Sequence, residues 1–167
     1  ETFLLPAVLL DESYVAIVVK QSLCTYPVFG HVMRASHPIA VQRDNPREDL
    51  KTVLRRGRDC LAEGRSVVVF PQHTRSTTFD PGRFNSLGAK LAERARVPLQ
   101  PIAVKTDFMG VGKWLRDFGR IDRSLAVHIA LGPAVETRGR AREAQADAVN
   151  FIRGRLSDWG AAVKEAT

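Results

Sequence analysis

Long apolar runs are missing from this chain. The near-apolar stretch at its start, Phe3 to Leu10, contains Pro6 and falls well short of the ~18–20 residues that cross a bilayer. No membrane span is expected, although the domain could rest on a membrane. Aromatics are scarce at 7% and do not interleave with the basic residues, so the stacking platforms that hold single-stranded nucleic acid are absent. No helix-turn-helix or zinc-finger spacing occurs either, and no nucleic-acid partner is expected. Cysteine is limited to Cys24 and Cys60, which form no CxxC and indicate neither a metal site nor a redox pair. Their distance in sequence leaves a disulfide open, but a reduced, cytosol-facing domain is expected of a chain this size. No two of His31, His37, His73 and His128 have metal-ligand spacing. The nucleophile elbow Gly-x-Ser-x-Gly and the phosphate loop Gly-x-x-x-x-Gly-Lys are also missing, against serine hydrolase and nucleoside triphosphatase chemistry.

What the chain does have is positive charge. Lys and Arg number 25 against 18 acidic residues, a formal charge of +7 over 167 residues. That balance favours a phosphorylated small molecule or an anionic membrane surface as partner. The length suits one domain with a sizeable core, residues 1–167. The opening on Glu1, with no Met and no signal-like segment, is expected of the inside of a longer polypeptide.

Apolar and polar residues alternate in blocks that read as helices and strands in turn. Thr2 to Leu10 suits a short buried helix, Tyr14 to Val19 a strand, Pro27 to Ala35 a helix carrying Phe29, Val32 and Met33 inward, and Pro38 to Val41 a second strand. The next helix is the best punctuated. Asn45 can cap it, Pro46 suits its first position, Glu48 sits where a capping box places a carboxylate, and Gly64 ends it. Leu50, Val53, Leu54 and Leu61 share one face of that helix. Val67 to Phe70 reads as a third strand, a helix starts at Asn85 or Ser86, and Leu99 to Val104 and Leu125 to Leu131 are further strands. Arg142 onward reads as one long helix with Val149, Ile152, Leu156, Trp159 and Val163 on its core face. The segment Met109 to Phe118 suits a mobile or surface-lying stretch. The fold class expected is α/β, a mixed, mostly parallel sheet flanked by helices.

In such sheets ligands bind beyond the carboxyl ends of the strands. Two cationic stretches fall there. Arg43 follows the second strand, and the heptapeptide Phe70-Pro71-Gln72-His73-Thr74-Arg75-Ser76 follows the third. A guanidinium is a rigid fork of donors matching a phosphate, and Thr74 and Ser76 add hydroxyls beside Arg75. Arg75 by itself fits either a phosphate ligand or a turn arginine paired with an acid. Two arginines on one edge suit a dianionic phosphate monoester. His73 could act as a base, but no carboxylate is placed to orient it.

Four stretches taken in order resemble the glycerolipid acyltransferase family. Phe70 to Ser76 is similar to its Phe-Pro-Glu-Gly-Thr-Arg-Ser motif, with Gln72 in place of the glutamate and His73 in place of the glycine. Pro38-Ile39-Ala40-Val41-Gln42-Arg43 resembles the motif whose arginine helps hold the acceptor phosphate. Val97-Pro98-Leu99-Gln100-Pro101-Ile102 resembles a strand lining the site. Glu1-Thr2-Phe3-Leu4-Leu5-Pro6 looks like the acidic end of the family's opening motif, a histidine and an acid separated by four residues. The resemblance covers Glu1 to about Val104.

The resemblance implies a glycerol-3-phosphate acyltransferase-like fold and a domain lacking its amino-terminal portion. It implies O-acyl transfer from acyl-CoA or acyl carrier protein to a lysophospholipid or glycerol-phosphate-like acceptor, with no bound cofactor and no metal. The catalytic histidine would precede Glu1, and Glu1 would orient it. Arg43, Arg75 and Thr74 would hold the substrate phosphate, and Gln72, His73, Ser76 and Pro101 would line the site. Work at the cytoplasmic face of a membrane, peripheral or anchored through other segments, is implied too. Phe108-Met109 and Trp114-Leu115 are candidates for interfacial contact, Trp114 being equally suited to a core or lid. Gln72 and His73 leave open a lyso-lipid acceptor without a phosphate, or a domain that binds lipid or phosphate without turnover.

Overall fold

The structure, a computed structural model, describes residues 14–27, 29–72, 78–106, 122 and 124–164. The expected helix at Thr2 to Leu10 and the segment Met109 to Phe118 lie outside the described residues. So do the side chains of Phe29 and Val32.

Strand β1, Val15–Lys20, is the centre of a three-stranded parallel sheet. A short helix α1, Gln21–Cys24, and α2, Phe29–Ala35, lead to β2, Ile39–Val41. Helix α3, Pro46–Ala62, then crosses over β1 to β3, Ser66–Val68, giving the order β2-β1-β3. The register sets Lys20 against Val41 and Ile17 against Val68. Strand alternation gives the sheet two apolar faces. Ala16 and Val18 pack with Ile39, Val41, Val53, Leu54, Cys60 and Leu91, while Val15, Ile17 and Val19 pack with Met33, Val68 and Phe70.

Beyond β3 the chain forms β4, Thr78–Phe79, and a 3₁₀ turn at Pro81–Arg83. Helix α4, Leu87–Ala95, packs on α3 so tightly that a Cβ on Gly57 would lie 2.7 Å from Leu91 Cδ2. Strands β5, Ile102–Lys105, and β6, His128–Leu131, form an antiparallel pair. Helix α5, Ala141–Asp158, brings Ile152 and Leu156 against Ala103 and Phe79, and β7, Ala162–Val163, pairs in parallel with β4. The mixed, mostly parallel character is as expected.

Local expectations change at α3 and at the last helix, and one short helix is added; the strands expected at Val67 to Phe70, Leu99 to Val104 and Leu125 to Leu131 are the shorter β3, β5 and β6. Glu48 does not close a capping box but pairs with Lys51 at 2.8 Å, and Asn45 caps α3 by accepting from the Arg47 and Glu48 N–H groups. The last helix stops at Asp158, because Gly160 takes a left-handed φ of 68° and turns the chain. Val163 therefore sits on a strand, where it packs against the same core cluster as Leu156. Helix α1 was not foreseen; its four residues are too few for a periodic signal. Cys24 and Cys60 are free thiols, on opposite faces of the sheet.

Candidate active site

Because β2, β1 and β3 are parallel, their carboxyl ends share one edge, with the exits of β2 and β3 on either side of β1. The β2 exit is Gln42-Arg43. Arg43 has a φ of 69°, a left-handed conformation that costs a non-glycine residue roughly 1–2 kcal/mol. A carboxylate clamps the turn through two N–H groups. Asp49, in the first turn of α3, accepts the Gln42 N–H at Oδ1 (3.1 Å) and the Arg43 N–H at Oδ2 (2.8 Å). Asp49 is itself held, since its N–H donates to the Asn45 carbonyl at 3.0 Å. The sequence thus folds a strand, a strained arginine and a capped helix into one locked unit.

The β3 exit runs from Val69 to Gln72. Phe70 is half-buried against the Val15, Ile17 and Val19 face. The carbonyl of Pro71 accepts two bonds from Asn85, one from its backbone N–H at 3.2 Å and one from Nδ2 at 2.7 Å. Asn85 Oδ1 accepts the Leu87 N–H at 3.1 Å, so Asn85 also opens α4. Gln145 on α5 donates to the carbonyls of Asn85 (3.1 Å) and Phe84 (3.4 Å). Gln72, at the end of this exit, is half-buried.

Downstream, the chain is anchored again at β4. The Lys164 N–H donates to the Phe79 carbonyl at 2.9 Å, and Lys164 Nζ lies 3.0 Å from Asp80 Oδ2. The hydrogen bond from Lys164 holds the Asp80 carboxyl below its ordinary pKa, with further help from the Gly82 N–H and Arg83.

Of the candidate residues, the structure brings Arg43 and Gln72 to the ends of strands that flank β1 on the same edge. Glu1, His73, Thr74, Arg75 and Ser76 lie outside the described residues. Pro101 is buried immediately before β5, its carbonyl accepting the Gly132 N–H at 2.8 Å. Of the other histidines, His31 Nδ1 lies 2.9 Å from Arg34 Nη2, His37 has a left-handed φ of 47° with its carbonyl accepting from Arg65 Nη2 at 3.3 Å, and His128 stacks on Trp159. Asp49 and Asn85 escaped prediction as site-supporting residues. The available signal was spacing: each sits near the start of the helix that follows an exit. Among the described residues no cluster of His, Cys, Asp and Glu could hold a metal, and no helix is long and apolar enough to cross a membrane.

Comparison with known proteins brings these observations together. Residues 2–105 match the family model described as Acyltransferase. The 1-acyl-sn-glycerol-3-phosphate acyltransferase of Pseudomonas aeruginosa is 31% identical over 130 residues, covering 78% of this chain and 49% of that protein. The chloroplastic 1-acyl-sn-glycerol-3-phosphate acyltransferase of Brassica napus is 31% identical over 104 residues, covering 62% of this chain and 28% of its own length. The chain thus spans less than half the length of these relatives. The crystal structure of the 1-acyl-sn-glycerophosphate (LPA) acyltransferase PlsC from Thermotoga maritima superposes with a TM-score of 0.62 at 19% identity, covering 96% of this chain and 63% of that one. That likeness establishes the α/β fold. The matched region, residues 2–105, contains both strand exits and their clamps, and on that match the chain belongs to the acyltransferase family.

Proposed function

We propose that the protein transfers an acyl group from acyl-CoA or acyl carrier protein to the hydroxyl of a lysophospholipid or glycerol-phosphate-like acceptor. The observation that carries this reading is the clamped arginine at the β2 exit, on the edge that also carries the β3 exit. The relatives named above act, by their names, on 1-acyl-sn-glycerol 3-phosphate.

In the proposed mechanism Arg43 and Arg75 hold the acceptor phosphate, with Thr74 donating a further hydrogen bond. Binding energy at the phosphate is thereby turned into placement of the hydroxyl. A histidine ahead of Glu1 takes the hydroxyl proton as the oxygen attacks the thioester carbonyl, and Glu1 orients the imidazole. The C–S bond breaks, and the departing thiolate takes the proton back from the imidazolium. General-base catalysis of this kind is worth ~10²–10⁴ in rate. Gln72, His73, Ser76 and Pro101 line the site. No bound cofactor or metal takes part. The reaction runs at the cytoplasmic face of an anionic membrane, where a net positive charge favours adsorption.

Gln72 and His73 favour a second reading, a lyso-lipid acceptor without a phosphomonoester. Thioester release by the full-length polypeptide, measured with lysophosphatidate and with monoacylglycerol, separates the two. On the first reading Arg43→Ala raises KM for lysophosphatidate by roughly 10- to 100-fold, since a charge-assisted hydrogen bond is worth ~1.5–3 kcal/mol. KM for monoacylglycerol stays within about two-fold, because it offers no phosphate. Equal use of both acceptors by wild type and variant would overturn the phosphate role. No thioester release with any lyso-acceptor would leave a binding domain without turnover.

A further inference from the structure

The geometry points to Asp49 as a positioning residue of the acceptor site, acting through the backbone of Arg43; this rests on the reading of Arg43 as a phosphate ligand. Asp49 does not cap its own helix, a task Asn45 performs. Its carboxylate instead reaches back along the sequence to take the N–H groups of Gln42 and Arg43, one on each oxygen. The second of those residues holds a φ of 69°, which side-chain-bearing residues avoid unless surrounding structure imposes it. The φ angle fixes the direction of the Cα–Cβ bond from which the guanidinium is carried. Release of the two N–H groups lets the backbone relax to an extended or right-handed conformation and swings that bond away. Asp49 therefore sets where the phosphate-binding fork is presented without touching the substrate.

Two further features argue for a function beyond holding the turn. A glycine would adopt this φ without strain and need no clamp, yet the position carries an arginine. The carboxylate is also the acceptor that makes the stronger, charge-assisted bond to a backbone N–H. It sits on a helix whose first turn is separately fixed by Asn45 and Pro46, so the clamp stands on a rigid support.

The test is a double-mutant cycle on the full-length polypeptide, with an acyl-CoA donor and lysophosphatidate or monoacylglycerol as acceptor. Asp49→Asn retains one acceptor oxygen and is expected to raise KM for lysophosphatidate about ten-fold, with kcat and the monoacylglycerol KM nearly unchanged. In an Arg43→Ala background the same substitution should add nothing to KM. Asp49→Glu keeps the charge but displaces the carboxylate, and is expected to give a similar shift if Asp49→Asn expresses poorly. Asn45→Ala removes the side-chain cap but keeps Pro46 and the Asn45 carbonyl that holds the Asp49 N–H, so it should leave KM nearly alone. If Arg43→Ala raises KM but neither Asp49 variant does, the positioning role falls and the phosphate reading stands. Additive effects of Asp49→Asn and Arg43→Ala also overturn the positioning role. If Arg43→Ala has no effect, the phosphate reading fails, and the role of Asp49 fails with it.

Discussion

The exits of β2 and β3 solve one problem by opposite means. Each must turn a strand into a loop on the same sheet edge, and each is held by a side chain at, or just ahead of, the start of a later helix. At β2 an exposed turn is held through its N–H groups by a charged acceptor, Asp49, over six or seven residues of sequence. At β3 a half-buried carbonyl is held by a neutral donor, Asn85, fourteen residues away, with Gln145 behind it. The first clamp secures the conformation of one arginine. The second ties β3, α4 and α5 together. On the proposed phosphate role of Arg43, loss of the β2 clamp should be felt mainly in substrate binding, and loss of the β3 clamp mainly in stability.

The largest effect on folding is expected from Asn85→Ala. It removes a donor from the Pro71 carbonyl and the acceptor for the Leu87 N–H, at a cost of about 1–2 kcal/mol. Tm should fall by roughly 3–6 °C for a domain of this size. Asp49→Ala is expected to lower Tm less, because water can reach the amides it frees on the exposed β2 exit. Thermal unfolding of the two variants side by side checks the order. A larger drop for Asp49→Ala would break the contrast.

A finer test uses two residues in the same helical turn. Asn45→Ala should cost about 1 kcal/mol as the loss of an ordinary cap and leave the lysophosphatidate KM unchanged, whereas Asp49→Asn changes KM. Chemical denaturation alongside KM for both variants separates cap from clamp. A raised KM in Asn45→Ala would mean that the whole helix start, rather than one carboxylate, presents Arg43.

The residues made much of this architecture legible in advance. Asn45, Pro46 and Gly64 punctuate α3 strongly enough to place both its ends, and the unbroken Val67-Val68-Val69 run marks β3. Arg43 was identifiable as a cation at a strand end because helix and strand alternate so regularly. Its left-handed φ was not, since arginine carries no signal for that conformation; it goes with the bonds that the Gln42 and Arg43 N–H groups donate to Asp49. Glu48 and Asp49 look equally fit to serve the helix start, and the spacing rule favoured Glu48 for the cap. Asp49 is the carboxylate that meets the N–H groups just beyond β2, whereas Glu48 pairs with Lys51. Val163 misled for a similar reason. Its spacing continues the helical stripe, and Gly160 interrupts the helix without disturbing the pattern of apolar residues.

The smallest expected effect lies downstream of the β3 exit, where Asp80 and Lys164 join β4 to the chain beyond β7. The Asp80 carboxyl titrates below its ordinary value because the folded chain gives it a cationic partner and the Gly82 N–H. A carboxyl lowered on folding stabilises at pH above its unfolded value and loses that contribution as pH falls through its folded one. Asp80→Asn should therefore lower Tm slightly and evenly above about pH 5. The gap to wild type should close in strong acid, where both side chains are neutral. High salt should narrow the gap as well, because the lysine is largely exposed. KM for either acceptor should not move, since the tie holds β4 rather than Arg43. No gap at any pH would assign the anchoring to the Phe79–Lys164 backbone bond, leaving the ion pair with no part in holding β4.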